Sequence, residues 1–280
     1  MSGGNGRGPE MGASGGGLGP VSTRLVGDWA LPGAIMVAGL AVWQAASVLF
    51  QVPAWLLPSP TDIVGALFSS RETLAYHAWV TVQEVVVGFG LAFAVGVLTA
   101  IAFAYSRTLE RAIYPLVVAS QTIPVVAIAP LLLIWFGYGL LPKVLVVALI
   151  CFFPIVVNTT DGLRSVDPEL VNLLRTLRAS RWQIFSKAQF PSSLPFLFSG
   201  TKVAIAVSVI GAVIGEWVGA SAGLGYFMVR SASQMQTARV FAAIFILSAL
   251  GVALFALAAV LERRLLPWYH DSRRDRAAED

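Results

Sequence analysis

The chain has 280 residues, of which 57% are hydrophobic and only 12% are charged, whereas soluble domains carry about 25% charged residues. This balance excludes an ordinary soluble domain and predicts a protein whose main solvent is lipid. The single cysteine, Cys151, excludes a disulfide within the chain. The formal net charge of +4 does not indicate nucleic-acid binding, because the basic residues flank apolar segments and do not form one patch.

The amino-terminal segment, residues 1–27, is rich in glycine. Such a composition cannot bury a core, which predicts disorder. Asp28 and Pro32 then stand where the start of a helix would use them. The first apolar run follows at about residues 31–52; it is long enough to cross a bilayer and is predicted to stay in the protein, unlike a signal peptide.

A short helix on the membrane surface is predicted between the first two spans. Ser59 is a suitable N-cap, Pro60 suits the first helical position, and Asp62 places a carboxylate in the first turn. The segment is too mixed in polarity to span a bilayer, so we expect an amphipathic helix over residues 60–69.

Five further apolar segments predict transmembrane helices, giving an all-α integral membrane protein with six spans. They cover about residues 79–104, 114–136, 141–158, 195–218 and 240–261. Gly88, Gly90 and Gly96 in the second span predict close helix packing. Three prolines in the third span predict a kinked helix inside the bundle. The connection at residues 219–239 is predicted to be a loop.

The distribution of basic residues predicts the orientation of this transmembrane domain, residues 28–266. If the amino terminus is cytoplasmic, the basic residues on the other side are only Arg71, Lys143, Arg230 and Arg239. The remaining fifteen of nineteen then lie in the cytoplasm, as the positive-inside rule requires. Both termini, the charged tail at residues 267–280 and a long polar loop at residues 161–195 are therefore predicted to be cytoplasmic.

The polar loop contains two predicted helices that are too short to span. The first starts with Asp167 as N-cap, Pro168 in the first helical position and Glu169 in the first turn. Its leucines recur at helical spacing and form one apolar face: Leu170, Leu173, Leu174 and Leu177.

The second helix begins with a capping box from Ser180 to Gln183 and is expected to stop before Pro191. Trp182 is a suitable anchor on it. A pair of helices with one apolar and one basic face indicates either a docking surface for a partner protein or an amphipathic loop that lies on lipid headgroups.

The loop sequence ELVNLLRTLRASRWQIFSKAQFPSSLP resembles the cytoplasmic EAA loop in the permease subunits of bacterial ABC importers. Three of the four further strings that carry the resemblance are LLPSPTDIVGAL, QTIPVVAIAPLLLIWFGYG and FFPIVVNTTDGLRSVDPEL, and the last is VIGEWVGASAGLGYFM. Together they cover about residues 56–268. They are most similar to the nitrate, sulfonate and taurine branch, which includes transporters of thiamine-pyrimidine precursors.

This resemblance implies a type I ABC importer permease with a coupling-helix loop that inserts into a separate ATPase. The residues it assigns to ATPase coupling are Asp167, Glu169, Leu170, Leu173, Leu174, Leu177, Arg178, Ser180 and Trp182. The chain departs from the family where Glu-Ala-Ala is replaced by Asn172-Leu173-Leu174 and the usual glycine by Arg178. Because arginine does not easily adopt a positive φ, we expect a helical or otherwise altered turn at Arg178.

Motifs for catalysis are absent from the sequence. It contains no G-x-x-x-x-G-K-[ST] phosphate loop and no G-x-S-x-G motif, and its two histidines and one cysteine form no zinc pattern. We therefore expect no enzyme activity, no metal and no cofactor in this chain, with ATP and magnesium held by the partner ATPase.

Polar residues within the spans are candidates for a translocation path or gate. Glu216, beside Trp217, is either a pathway carboxylate or a buried partner that joins two helices. Glu84 is a second candidate, although its place near a span end is also typical of an interfacial residue. Gln121 and Asn158 are further candidates, but such residues more often form hydrogen bonds between helices.

The predicted function is ATP-driven import by alternating access, in the bacterial inner membrane. The expected partners are an ABC ATPase, an extracytoplasmic solute-binding protein, a second copy of the permease and the lipid bilayer.

The alternative functions are a secondary transporter driven by an ion gradient, with Glu84 or Glu216 as the proton carrier, and a passive channel or scaffold. A carboxylate near the path disfavours small anions if it is ionised and unpaired, which favours a thiamine-pyrimidine precursor or a similar heterocycle over nitrate, sulfonate or taurine.

Overall fold

The computed structural model describes residues 22–267 and residue 269, with side chains from residue 31 onwards. The described chain forms α-helices joined by short connections, and one π-helical turn. The helices are α1 (Ser22–Leu49), α2 (Pro60–Ser69), α3 (Arg71–Tyr105), α4 (Arg107–Ser120), α5 (Val125–Phe136), α6 (Leu140–Arg164), α7 (Pro168–Thr176), α8 (Arg181–Ile184), α9 (Phe190–Gly219), α10 (Leu224–Ser233) and α11 (Thr237–Leu265). The predicted disordered segment lies outside the described residues except for residues 22–27, which belong to α1. Most of the charged tail also lies outside them.

The chain divides into two compact units, Met1–Gln51 and Val52–Asp280. The first contains α1, which begins at Ser22 and has Pro32 in its interior, so the predicted start at Asp28 and Pro32 is wrong. Within the described residues, five helices are long and apolar enough to cross a membrane, or six if α4 and α5 together count as one broken span. The prediction of an all-α membrane protein is confirmed.

The second unit is built around α6, which packs along both α3 and α9. Small residues permit this close contact: a Cβ atom at Gly88 would lie 2.6 Å from the Cβ of Val147, and one at Gly96 would lie 2.8 Å from a methyl group of Ile155. The predicted packing role of these two glycines is confirmed. Gly90 has no close neighbour within this chain, so its predicted packing role stays a prediction.

The third predicted span is not one kinked helix. α4 and α5 meet at an angle of 100° across a break of four residues. Pro124, in the break, has an extended backbone and precedes the first residue of α5. A proline lacks the N–H that would continue the helix and disfavours helical geometry in the residue before it, which explains why the chain turns here.

The start of α9 also differs from expectation. The second loop helix does not stop before Pro191, because α8 runs through a π-helical turn at Phe185–Gln189 into α9. The N–H of Phe190 donates to the carbonyl of Phe185, five residues earlier. Such a wider turn relieves the clash that Pro191 would cause in a regular helix. A further difference is α10, a helix of 10 residues inside the segment predicted to be a loop.

Candidate functional site

The docking segment, residues 167–191, lies where the carboxyl end of α6 and the amino end of α9 meet; we call this the docking end of the bundle. Both predicted helix starts are confirmed. The backbone N–H of Glu169 donates to Oδ1 of Asp167 at 2.8 Å. The N–H of Gln183 donates to Oγ of Ser180 at 3.2 Å, and the N–H of Ser180 donates back to Oε1 of Gln183 at 2.7 Å.

The apolar face of α7 is open. No residue of α7 is buried, and the exposed fractions of Leu170, Leu173 and Leu177 are 43%, 56% and 70%. Leu174 is half-buried. Trp182 is 65% exposed and stacks on Phe185, with 5.7 Å between the ring centroids. A row of exposed leucines beside an exposed tryptophan is typical of a surface that a partner protein covers.

The turn after α7 corrects the expectation for Arg178. This residue has φ of 59°, in the left-handed region, so the turn keeps the geometry that suits glycine. The N–H of Ala179 donates to the carbonyl of Leu174 and the N–H of Arg178 to that of Arg175, both at 2.9 Å. These two bonds form a Schellman motif, which holds Arg178 in its unfavourable conformation.

Replacing Arg178 with glycine is expected to stabilise the turn by about 1 kcal/mol, because glycine adopts a positive φ without a Cβ clash. The melting temperature of the purified protein should rise slightly, and recovery of the expected ATPase partner should stay at the wild-type level. Arg178→Ala is the matched control, since it removes the same side chain but keeps the Cβ atom. A loss of the ATPase with the glycine variant alone would contradict this account of the turn.

A buried polar cluster lies at the opposite end of the bundle. It consists of His77, Thr81 and Glu84 on α3, Lys143 on α6, and Glu216 on α9. The two carboxyl-bearing side chains are almost completely buried, with 0% exposure for Glu84 and 1% for Glu216. The interfacial interpretation of Glu84 is therefore wrong: this side chain lies inside the protein.

Hydrogen bonds from the cluster hold the connection between α9 and α10. Thr81 donates its hydroxyl to Oε1 of Glu216 at 2.6 Å and accepts the N–H of Leu224 at 2.9 Å. The N–H of Gly225 donates to Oε2 of Glu216. The N–H of Gly223 donates to Nδ1 of His77 at 3.1 Å, so this nitrogen carries no proton.

The cluster contains one cation for two carboxyl groups. Lys143 forms an ion pair with Oε1 of Glu84. Two carboxyl groups and one ammonium group therefore share a largely buried site, where removal of the cation would leave a buried carboxylate uncompensated. The ion pair and the hydrogen bonds of the cluster can together hold α3, α6 and α9 against the connection that precedes α10.

Gly223, in the connection between α9 and α10, packs directly against the buried polar cluster. It has φ of 120°, and a Cβ atom there would overlap the carboxyl group of Glu216. We expect Gly223→Ala to reduce the yield of folded protein strongly, because both the backbone conformation and the space require glycine. Gly219→Ala, at the last residue of α9, is the control, since its Cβ would meet the flexible end of Leu133 and lie in ordinary contact with the Tyr138 ring at 3.4 Å. The measurement is the monodisperse fraction after extraction; equal yields for the two variants would contradict the prediction.

The other predicted path residues are not part of this cluster. Gln121 is exposed at the break between α4 and α5. Asn158 is half-buried in α6 and donates to the carbonyl of Pro154 at 2.7 Å. Trp217 is 54% exposed although it follows Glu216 directly. Their predicted role in the path stays a prediction.

Three members of the cluster were not singled out from the sequence as site residues: His77, Thr81 and Lys143. A signal was present for two of them, because His77, Thr81 and Glu84 recur at i, i+4 and i+7, on one face of a helix. Lys143 carried no such signal, since a lysine near the start of a span is normally an interfacial residue.

Comparison with known proteins is consistent with this architecture. The family described as "Binding-protein-dependent transport system inner membrane component" matches residues 92–267. A chain of the MetNI methionine ABC transporter, solved in inward-facing conformations, superimposes with a TM-score of 0.57 at 17% identity. The match covers 69% of this chain and 97% of that one, and it shows the fold.

Two relatives are similar along most of their length. The formylaminopyrimidine transport permease protein ThiX of Halalkalibacterium halodurans is 43% identical over 230 residues, which are 82% of this chain and 92% of the relative. The putative aliphatic sulfonates transport permease protein SsuC of Bacillus subtilis is 33% identical over 232 residues, or 82% and 84% of the two chains. The expected resemblance to the sulfonate and taurine branch and its pyrimidine-precursor member is confirmed.

Proposed function

Because the chain belongs to the family of binding-protein-dependent transport system inner membrane components and is a permease subunit of an ABC importer, we propose that it imports a pyrimidine-type heterocycle. The proposed substrate rests on the 43% sequence identity to a formylaminopyrimidine permease, compared with 33% identity to a sulfonate permease. An ion-gradient-driven transporter is not favoured, since these relatives are ABC permeases.

Glu216 does not favour one class of solute over another. A preference based on charge would require Glu216 to be unpaired and ionised near the path. Glu216 is instead buried and accepts hydrogen bonds from Thr81 and Gly225. The preference for a heterocycle therefore rests on similarity alone.

Calorimetry on the solute-binding protein that serves this permease tests the substrate. We expect tight binding of a formylaminopyrimidine and no heat from taurine, an alkyl sulfonate or nitrate. The loaded binding protein should then raise the ATPase rate of the complex in nanodiscs. Tight binding of a sulfonate or nitrate, with no binding of the pyrimidine, would overturn the proposed substrate but not the importer function.

The proposed mechanism assigns the two ends of the bundle different tasks. Both termini and the docking segment lie in the cytoplasm, where an ATPase that holds ATP and magnesium contacts the open face of α7. Closure of the ATPase pair pushes the docking segment, and the spans swing from inward-facing to outward-facing. Two copies of the permease enclose the path. The buried polar cluster keeps the connection before α10 in place at the outer side, where the binding protein delivers its solute.

A further inference from the structure

A basic cavity lies at the docking end, between α7 and the neighbouring ends of α3, α4 and α6. Its volume is about 840 Å³. The charged residues around it are Arg107, Glu110, Arg111, Arg164 and Arg175. A second cavity of about 600 Å³ shares Arg107 and Arg175 and adds Arg181. This region is therefore a concave site with a surplus of guanidinium groups, distinct from the buried polar cluster.

The positive charge of the cavity is largely uncompensated. Arg164 forms an ion pair with Glu110, and its guanidinium carbon lies 5.4 Å from the centre of the Tyr114 ring. Within the described part of the chain, no carboxylate pairs with Arg107, Arg111 or Arg175. Four guanidinium groups thus face one carboxylate, and clustered like charges in a concavity attract a multivalent anion.

α7 places its two faces in different environments. The exposed leucines lie on one side, whereas Val171, Asn172 and Arg175 line the cavity on the other. Helical spacing puts these sets on opposite faces. A ligand in the cavity would therefore contact the helix that carries the apolar docking face.

A buried hydroxyl provides an independent sign of a ligand. Thr160 lines the cavity and is only 2% exposed. Within the described structure its Oγ1 has no hydrogen-bond partner. Buried polar atoms in native proteins are nearly always paired, and an unpaired one is unfavourable. An oxygen atom of a ligand would supply the missing partner.

We propose that this cavity binds a phosphate-bearing anion. Arginine is the residue best suited to this group, because its planar fork makes two parallel hydrogen bonds to phosphate oxygens. The volume is too large for inorganic phosphate alone and accommodates an organic phosphate ester. The headgroup of an anionic phospholipid and a soluble phosphate ester share this chemistry, and basic pockets between transmembrane helices on the cytoplasmic side are known to bind such headgroups.

Native mass spectrometry and thermal shift on the purified permease–ATPase complex test the proposal. The lipid probe is phosphatidylglycerol in phosphatidylcholine nanodiscs, with phosphatidylcholine alone as reference. The soluble probe is sn-glycerol 3-phosphate. Binding of phosphatidylglycerol alone assigns the site to lipid, and binding of both probes assigns it to the phosphate group itself. If wild-type complex binds neither probe, the proposal fails.

Two variants locate the binding. Arg107→Gln/Arg111→Gln should weaken binding of the probe by at least about tenfold, since each removed charge-assisted hydrogen bond is worth about that factor. Arg263→Gln/Arg264→Gln is the matched control, because it removes the same charge from exposed positions at the docking end of α11, outside both cavities. Equal binding by the two variants overturns the proposal. So does loss of the ATPase from the first variant with unchanged probe binding, because the arginines would then serve the ATPase.

Thr160→Val separates ligand contact from folding. Valine has nearly the same shape but lacks the unpaired hydroxyl, so the melting temperature without probe should stay the same or rise. The affinity for the probe should fall by about fivefold to tenfold, the value of one hydrogen bond. An unchanged affinity would overturn the assignment of Thr160 to the site. The proposal holds for any transported solute, so a failed substrate prediction leaves it intact.

Discussion

Replacing Leu173 with glutamate is expected to release the ATPase partner from the permease. Leu173 is 56% exposed on the open face of α7, so the change does not disturb the core of the permease. At the centre of a protein interface, a buried apolar anchor contributes about 2 kcal/mol or more, which corresponds to at least about thirtyfold in affinity, and an unpaired carboxylate there adds a desolvation penalty. Co-purification through a tag on the permease measures the loss, and transport in proteoliposomes should fall with it.

The matched control is Asn172→Glu, on the neighbouring residue. It introduces the same charge on the opposite face of α7, at the position where the resemblance places a glutamate. This variant should recover the ATPase as well as wild type does. If Leu173→Glu also retains the ATPase, or if transport continues in its absence, the assignment of this face to ATPase coupling is wrong.

Lys143→Met is expected to be the most destabilising single change in the buried polar cluster. It leaves Glu84, which has no exposure, without its cation. Removing one partner of a buried ion pair destabilises a protein by about 3–5 kcal/mol. The melting temperature in detergent should fall strongly, as should the fraction of monodisperse protein.

The double variant Glu84→Gln/Lys143→Met tests whether the pair itself is responsible. Replacing both partners removes the uncompensated charge, so most of the lost stability should return. Glu216 keeps its hydrogen bonds from Thr81 and Gly225 in this variant. Stability that falls further in the double variant would show that Glu84 and Lys143 act independently.

Composition places the apolar spans approximately, and the starts of α7 and α8 follow from Asp167 and Ser180, because caps are local signals. The break between α4 and α5 and helix α10 do not follow from composition. The Arg178 turn was mispredicted, since a local preference against a positive φ was outweighed by two backbone hydrogen bonds across the turn. Pro191 was misjudged for a related reason: a wider helical turn accommodates a ring that a regular helix would exclude.

The buried polar cluster could be predicted only in part. Its acidic members stand out in apolar spans, but Lys143 and Glu84 are 59 residues apart and Thr81 and Glu216 are 135 apart. Such pairs depend on how α3, α6 and α9 pack. No pattern in one sequence specifies which face of each helix turns towards the others. The basic cavity could not be predicted from the sequence for the same reason, because its arginines come from different helices.

The π-helical turn has a mechanical consequence. It lets the segment Arg181–Gly219 run as one helix of 39 residues, about 58 Å long at 1.5 Å per residue. One end of this rod belongs to the docking segment, and the other ends next to Glu216. Over that length, a tilt of the helix by about 5° displaces one end by about 5 Å relative to the other. If the helix tilts as a unit, it displaces its two ends relative to each other without a relay of side chains.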